Sequence, residues 1–497
     1  MSQINLNFKF LKTSNFTMTK SSTIQFLHNN RLVEIDFSKE TEHTPTTTVL
    51  QYLRKSHQHK GTKEGCAEGD CGACTVNLAE ISNNELKYTA VNSCLLFLPT
   101  LHAKQLITIE NLGTSNDLHD IQKAMLQTDA SQCGYCTPGF AMSMLPLFKQ
   151  KSIPKKEEIQ LALAGNLCRC TGYRPILDAA MQIAGKNSPD KFTENEQLVI
   201  QELNKIHEQT NLIEIQNNST VYFMPQNLNE ALRLRNEKPN AILISGSSDI
   251  ALKVTKKYEH LNEIIDLSHL NELNFIEKTK KTVLIGSGTT LETIKDQLSD
   301  IFPALREMLT VFGSRQIRNV ATLGGNIGSA SPIGDSLPIL MAYNAIVHLQ
   351  SAEGKRQIAI REFITDYRKT QIATNELIVT IEIPVTEKKK IIKYYKISKR
   401  KDLDISTVSA AFELELDKAS NVLVFNAFYG GMAHKTSHAS NVEQFLVGKK
   451  WNEEHINLAK ALVKEDFKPI SDARSGAEAR LLMAENLLFK FYLETIN

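Results

Sequence analysis

Eight cysteines stand in the sequence, in two sets of four with none left over. The first is Cys66, Cys71, Cys74 and Cys94, spaced C-x4-C-x2-C with a later fourth. The second is Cys133, Cys136, Cys168 and Cys170, spaced C-x2-C and then C-x-C. Four thiolates can hold an iron–sulfur cluster or a zinc ion, and thiols in pairs can form disulfides. The first spacing is that of the plant-type loop around a [2Fe–2S] cluster. Zinc usually draws on paired C-x2-C knuckles, which the x4 interval fits less well. A loop closing on a rhomb of iron and sulfide must turn its amides toward sulfur, and GCAEGDCGAC supplies permissive Gly65, Gly69 and Gly72 beside small Ala67 and Ala73. In the second set, QCGYCTPG opens one helix-like stretch and NLCRCTGYRP lies between two others, so positive helix N-termini would face an anionic cluster. Alone, that spacing also suits zinc; coupled to the first set, it favours a second cluster.

Two glycine-bearing stretches carry a further signal. AILISGSSDIAL, Ala241 to Leu252, and NVATLGGNIGSASPIGD, Asn319 to Asp335, could each bring backbone amides to a pyrophosphate. Read on their own, both are equally ordinary turns. GSGTTL, Gly286 to Leu291, begins like G-x-G-x-x-G but has Leu291 in place of the third glycine, and no Walker A lysine follows any loop. A Rossmann domain or P-loop is therefore not expected, and GSGTT is read as a strand-to-helix turn.

These residues need elements to hold them. Ser22 to Ser38 alternates apolar residues about an Asn-Asn turn and predicts a β-hairpin. A helix follows at Thr48 to Ser56, with strand candidates at Tyr88–Leu98 and Leu106–Ile109. From Asp117 to Ile183 the period becomes helical in DLHDIQKAMLQ, GFAMSMLPLFKQ, EEIQLALAG and RPILDAAMQIA, which predicts a four-helix bundle. The polar run Gly185 to Gln197 is the best linker candidate. Beyond it, strand-like AILISG and TVLIGSG alternate with helical NLNEALRLRN and TLETIKDQL, the rhythm of an α/β domain lasting to about Thr386. The last hundred residues hold alternating TVSAAFELEL and VLVFNAFYGG and then two long helical stretches, read as an α+β cap.

Composition narrows the function. The chain has 497 residues, 42% hydrophobic and 23% charged, as in an ordinary soluble protein of several domains. A formal charge of +2 leaves no electrostatic footprint for nucleic acid or an anionic membrane. The most basic stretch, Glu387 to Lys401, interleaves lysines with apolar residues and is expected to be a solvated strand face. The first twenty residues lack the apolar run of a signal peptide and read as a loose extension, and no stretch is apolar enough to span a membrane. A reducing, cytoplasmic setting is expected, where cysteines serve as ligands.

Together, GCAEGDCGAC, Ser93–Cys94, QCGYCTPG and GNLCRCTGYRPI resemble the iron–sulfur portion of the molybdenum hydroxylases, the family of xanthine dehydrogenases and aldehyde oxidoreductases. The likeness runs from about Ser22 to Ile183 and continues into the flavin half, where SGSSD is similar to the family's G-[GN]-T-[DE] turn and FGSRQIRNVATLGGNIGSASPIGD to its second flavin motif. It implies a multidomain α+β chain. A β-grasp ferredoxin-like domain would span 21–110, a four-helix [2Fe–2S] domain 111–184 and a linker 185–214. An α/β FAD-binding domain of the PCMH/CO-dehydrogenase-flavoprotein type would span 215–388, and an α+β C-terminal domain of the CO-dehydrogenase-flavoprotein kind 389–497.

The resemblance also implies the ligands. Cys66, Cys71, Cys74 and Cys94 would hold one [2Fe–2S] cluster, and Cys133, Cys136, Cys168 and Cys170 another. FAD would be bound by Leu243, Ile244, Ser245, Gly246, Ser247, Ser248, Asp249 and Ile250 in the first stretch. Phe312 would lie beside the isoalloxazine, with Ala321, Thr322, Gly325, Asn326, Ser329, Ser331 and Asp335 in the second stretch and Ile378, Lys396 and Asp404 farther on. Ser248 keeps the hydroxyl of the usual threonine, whereas Leu403 stands where some relatives have an acidic residue, which weakens any transfer of that contact. Gln132 and Cys170 would face the molybdopterin of a partner. No molybdopterin domain follows within these residues, so a molybdopterin-binding large subunit is implied, in a heterotetramer of two small and two large subunits or a higher assembly. Electrons from purine hydroxylation in that partner would pass through both clusters to FAD and then to NAD, with no catalytic acid–base residues on this chain. The alternatives are the equivalent subunit acting on aldehydes or other N-heterocycles and, from another class, a zinc-binding scaffold.

Overall fold

The computed structural model describes residues 20–39, 42–55, 59–209, 212–217, 220–386 and 389–496. The expected N-terminal extension, apart from Lys20, lies outside the described residues, as do Ser56 of the first helix and Glu387 and Lys388 of the basic stretch.

The hairpin of β1 (Thr23–His28) and β2 (Arg31–Asp36) turns at Asn29, whose φ of 57° is one that asparagine tolerates. Then come α1 (Val49–Lys55), β3 (Thr75–Ser82), β4 (Glu85–Asn92) and β5 (Gln105–Ile107). The sheet order is β2-β1-β5-β3-β4, with β1 and β5 parallel and the other pairs antiparallel. Strand β3 was not foreseen, because both of its faces are covered: Val76 and Leu78 enter one core and Ala79 another, which erases the alternation that marks a half-exposed strand. The strand expected over Tyr88–Leu98 ends at Asn92, and a short 3-10 turn, Ser93–Leu95, carries Cys94.

The four expected helices are present as α2 (Asp120–Gln127), α3 (Thr137–Phe148), α4 (Lys156–Leu163) and α5 (Arg174–Ile183). The stretch 185–214, expected to be a linker, is instead largely helical, with α6 (Lys191–Glu194) and α7 (Glu196–Gln209). Val199, Ile200, Leu203 and Ile206 form a narrow stripe that enters the core of the bundle. The polar residues around them hid it in the sequence. Asp190 locks the stretch down by capping α6 and pairing with Lys149 at 2.5 Å and His119 at 3.0 Å.

Next come β6 (Ile213–Asn217), β7 (Thr220–Met224), α8 (Leu228–Glu237), β8 (Ile242–Ile244), α9 (Ala251–Thr255) and β9 (Glu263–Asp266). They form a sheet in the order β6-β7-β9-β8, whose last three strands are parallel. A second layer follows with β10 (Ile276–Lys278), β11 (Thr282–Gly286), α10 (Leu291–Leu298), α11 (Pro303–Thr310), α12 (Arg315–Arg318), α13 (Leu323–Ser329) and α14 (Ser336–Ala342). It ends with β12 (Ile346–Gln350), β13 (Lys355–Ala359), α15 (Ile360–Phe363), the short pair β14 (Ile364–Asp366) and β15 (Lys369–Thr370), and β16 (Leu377–Pro384). Its antiparallel sheet, β10-β11-β16-β12-β13, shares one core with helices α10, α11, α13 and α14. GSGTT is the strand-to-helix turn expected, and Thr290 caps α10.

The remaining elements are β17 (Lys390–Ile397), β18 (Val408–Leu416), β19 (Val422–Gly430), β20 (Ser437–His438), α16 (Ser440–Leu446), α17 (Glu453–Asp466) and α18 (Ala477–Leu493). Their core centres on Phe412 stacked on Phe491 at 5.0 Å. Strand β17 is not the solvated face expected of the basic stretch. Lys390 and Lys393 each meet a glutamate at 2.7 Å, and the Lys396 side chain is only 5% exposed. Both faces of the strand are covered, Tyr394 entering one core and Tyr395 another, so its lysines end against carboxylates on either side. Among the described residues no helix is long and apolar enough to cross a membrane.

Candidate functional site

The first thiol set is gathered by two segments. The loop before β3 brings Cys66, Cys71 and Cys74, with Gly69 and Gly72 at φ of +86° and +67°, where a side chain would be strained. The 3-10 turn after β4 brings Cys94 within 3.3 Å of Cys74, sulfur to sulfur. The amides of Glu68, Asp70 and Cys71 donate to the Cys66 sulfur at 3.3–3.4 Å. The Cys71 thiol together with these amides draws the Cys66 thiol down to about 5. Cys74 is lowered by its hydrogen bond with Cys94, and Cys94 is raised by the same contact.

The second set lies at helix starts. Cys136 immediately precedes α3, and Cys168 and Cys170 occupy the turn between α4 and α5. Burial, with Cys168 alongside, pushes the Cys136 thiol up to about 12. Burial opposes ionisation of Cys168 too, but the Thr171 hydroxyl, 3.2 Å from its sulfur, lowers it on balance. Cys170 is raised by its hydrogen bond with Cys133. Cys133 and Cys170 are exposed, as is Gln132 beside them.

Within each set the thiols act on one another: Cys74 and Cys94 stand 3.3 Å apart, sulfur to sulfur, Cys71 lowers Cys66, Cys168 helps to raise Cys136, and Cys133 raises Cys170. A single zinc ion would draw four sulfurs around one point at about 2.3 Å. A two-iron rhomb takes two thiolates for each iron. The loops are in direct contact, since the Leu167 amide donates to the Cys71 carbonyl at 3.0 Å.

The flavin candidates converge from three segments. Leu243 and Ile244 end β8, and Ser245–Ile250 turn into α9. At Gly246 a Cβ would stand 1.7 Å from the Val320 carbonyl oxygen, so only glycine lets this turn touch the second segment. Ser247 has φ of 58° and a buried hydroxyl with no protein partner, which a phosphate oxygen would satisfy. In the second segment Phe312 is half-buried, and its carbonyl accepts from Arg318 at 2.9 Å. Ala321 receives the Leu291 amide, and Thr322 caps α13 through the Gly325 amide at 3.1 Å. Asn326 accepts from Ser336 at 2.5 Å, and Ser329 donates to the Asn326 carbonyl. Ser331 accepts from the Ile333 amide at 3.4 Å, and Ile378 packs beside Gly328 of α13.

Asp335 joins the third segment. Its carboxylate meets Lys396 at 2.8 Å and accepts from the Ser406 hydroxyl, and Lys396 also reaches the Val311 carbonyl at 3.0 Å. Lys396 is thereby locked next to the Phe312 segment. Two candidates stand apart. Asp249 faces Arg368 at 3.8 Å, and Asp404 accepts from the amides of Arg400 and Ile405, bracing its own loop beside Leu403, whose φ is 58°. Sequence reasoning missed Ser406, Arg318 and its buried partner Glu292, 2.6 Å away; only their places near the glycine stretches hinted at them.

A redox flavoprotein carrying two thiolate-bound clusters is the class that this arrangement defines. Comparison with known families agrees: residues 33–98 match a 2Fe-2S iron-sulfur cluster binding domain and 108–181 a [2Fe-2S] binding domain. Residues 213–386 match the FAD binding domain in molybdopterin dehydrogenase and 393–495 the CO dehydrogenase flavoprotein C-terminal domain. These four matches, in this order, fit the iron–sulfur/FAD subunit of a molybdenum hydroxylase. It is 30% identical to xanthine dehydrogenase/oxidase of Gallus gallus over 96% of this chain and 40% of that protein. The same figures hold for aldehyde oxidase 1 of Macaca fascicularis. A solved structure of a Cu,Mo-CO dehydrogenase in its cyanide-inactivated form aligns with a TM-score of 0.52 and 25% identity, covering 56% of this chain and 97% of that one. The chain thus spans about 40% of the length of the curated relatives it matches.

Proposed function

We propose that this chain is the electron-transfer subunit of a xanthine dehydrogenase. In this reading a molybdopterin-binding partner hydroxylates a purine, and the chain conveys the electrons to NAD. Two four-cysteine sets, gathered on loops that touch each other and carried on one chain with a flavin-type domain, carry the reading. When bound, the clusters supply one-electron transfer, and FAD supplies the change from single electrons to hydride.

The chain's own residues provide position and charge. Cys66, Cys71, Cys74 and Cys94 would hold one cluster and Cys133, Cys136, Cys168 and Cys170 the other, with amides at Cys66 and the Thr171 hydroxyl at Cys168 offsetting negative sulfur. The exposed Cys133, Cys170 and Gln132 suit the edge that meets the partner. The Gly246 turn and the Ser247 hydroxyl would take the FAD diphosphate, while Phe312 shields the ring. The buried Lys396–Asp335 pair fixes the wall between them.

A second reading, the same subunit in an aldehyde or N-heterocycle oxidoreductase, draws on the equal likeness to aldehyde oxidase 1. Anaerobic assay of the co-purified complex separates the two. Reduction of NAD with xanthine or hypoxanthine supports the first, and turnover confined to aldehydes or quinoline-type heterocycles replaces it with the second. Turnover with oxygen but not NAD would refute the assigned acceptor.

A further inference from the structure

Three domains are linked through one buried side chain, Gln316, and its partner Asn166. Gln316 is 0% exposed and lies in α12, four residues beyond Phe312. Its amide nitrogen donates to Ser143 Oγ in α3 at 3.0 Å and to Asn166 Oδ1 at 2.9 Å. Asn166, two residues before Cys168, donates in turn to the Gly72 carbonyl at 3.1 Å, inside the first thiol loop. Three glycines make the approach possible. A Cβ on Gly165 would lie 2.1 Å from Gln316 Oε1, and one on Gly72 or Gly139 would lie 2.3 Å from a backbone oxygen.

Such a chain of amides is a poor source of stability, since apolar packing of the same volume would hold the domains as well. What it supplies is a single register, because sliding by one atom strands buried donors. On the flavin side the register is passed on rigidly, as Arg318 binds the Phe312 and Gly313 carbonyls and is itself held by Glu292 at 2.6 Å.

We propose that Gln316 is a positioning residue that sets the separation between the flavin site and both thiol loops, and so the rate of electron exchange between them. The inference rests on the redox reading above. Each electron lost at an iron–sulfur centre is gained by FAD, and no proton or bond changes at Gln316.

The test uses the purified holo chain, loaded with iron and flavin, after a brief photoreduction. In Gln316→Met the Asn166–Gly72 bond remains, so both reduced-cluster EPR signals should persist while cluster-to-flavin exchange slows about tenfold, the small end of what groups around a metal site cost, since Gln316 acts through Asn166 and not on a ligand. In Gln316→Glu the carboxylate opposes Asn166 Oδ1. Asn166 must then turn its amide and release Gly72, so the EPR signal of the first cluster should shift as well, and exchange of the Leu167 amide with deuterium should quicken. Ser143→Ala, which removes one acceptor, should slow exchange less and serves if either variant fails to fold. Unchanged exchange rates in loaded variants would overturn the inference alone. A wild-type chain that takes up neither iron–sulfur nor flavin would overturn the redox reading and this inference with it.

Discussion

Gly246→Ala separates the two segments assigned to the flavin. The added Cβ would stand 1.7 Å from the Val320 oxygen and 2.5 Å from its carbonyl carbon, whereas real contacts of this kind stay beyond 3.0 Å. Parting them requires a displacement of 3.0 − 1.7 = 1.3 Å between the Ser245–Ile250 turn and the strand of backbone leading to Thr322. Both sides are backbone, so no side chain can rotate away, and the cost falls at the upper end of overpacking, about 3 kcal/mol. Where FAD needs the undisplaced geometry of the two segments, its Kd rises about a hundredfold. Fluorescence titration of the flavin-free chain measures this, with the flavin-to-iron ratio of the purified protein as a second readout. Iron content should not change, since both thiol loops lie outside the altered contact. Gly328→Ala is the control, because its Cβ meets only Ile378 at an ordinary 3.6 Å. A Gly246→Ala protein with wild-type flavin affinity would refute the cradle.

The buried Lys396–Asp335 pair gives a second test. Lys396→Met strands a carboxylate and should cost about 3–5 kcal/mol in urea denaturation, most of it recovered in Lys396→Met/Asp335→Leu. Cys94→Ser should remove about half of the bound iron while sparing the EPR signal of the second set, and Cys168→Ser should do the reverse. Acid stability follows from His28 and His102, which burial lowers to about 4 from 6.5. In the unfolded chain both take up a proton near pH 6.5, while in the folded chain they stay neutral until about pH 4. Stability contributed by their neutrality is therefore complete above pH 6.5 and lost as pH falls to 4, by about 3 kcal/mol for each. His102 also accepts from the Gln25 amide through Nδ1 at 3.1 Å, so its protonation breaks that bond. Denaturation at pH 7 and pH 4.5 should show the loss in the wild type and a smaller one in His102→Gln.

The cysteine spacings and the four-helix period were legible because local rules write them: ligands on one loop must be close in sequence, and a stripe must repeat every three or four residues. The Asn29 turn and the GSGTT turn were legible for the same reason. Strand β3 was not, since burial on both faces removes the alternation that reveals a strand. Helix α7 is hidden because its stripe is narrow and its flanks polar, so the stretch reads as a linker. The basic stretch misled because charge in sequence does not reveal its partners: Glu413, Glu494 and Asp335 lie far off along the chain and meet β17 only through sheet pairing and domain packing. The Gln316 joint is invisible for the same reason, its two partners, Ser143 and Asn166, lying 173 and 150 residues away.

The central claim is that two thiol sets and a glycine-turn cradle make this chain a conduit for electrons. Analysis of the purified protein for metal, acid-labile sulfide and flavin tests it most directly. The account predicts two irons and two sulfides for each four-cysteine set, one FAD per chain and no zinc. Stoichiometric zinc without sulfide or flavin would contradict it.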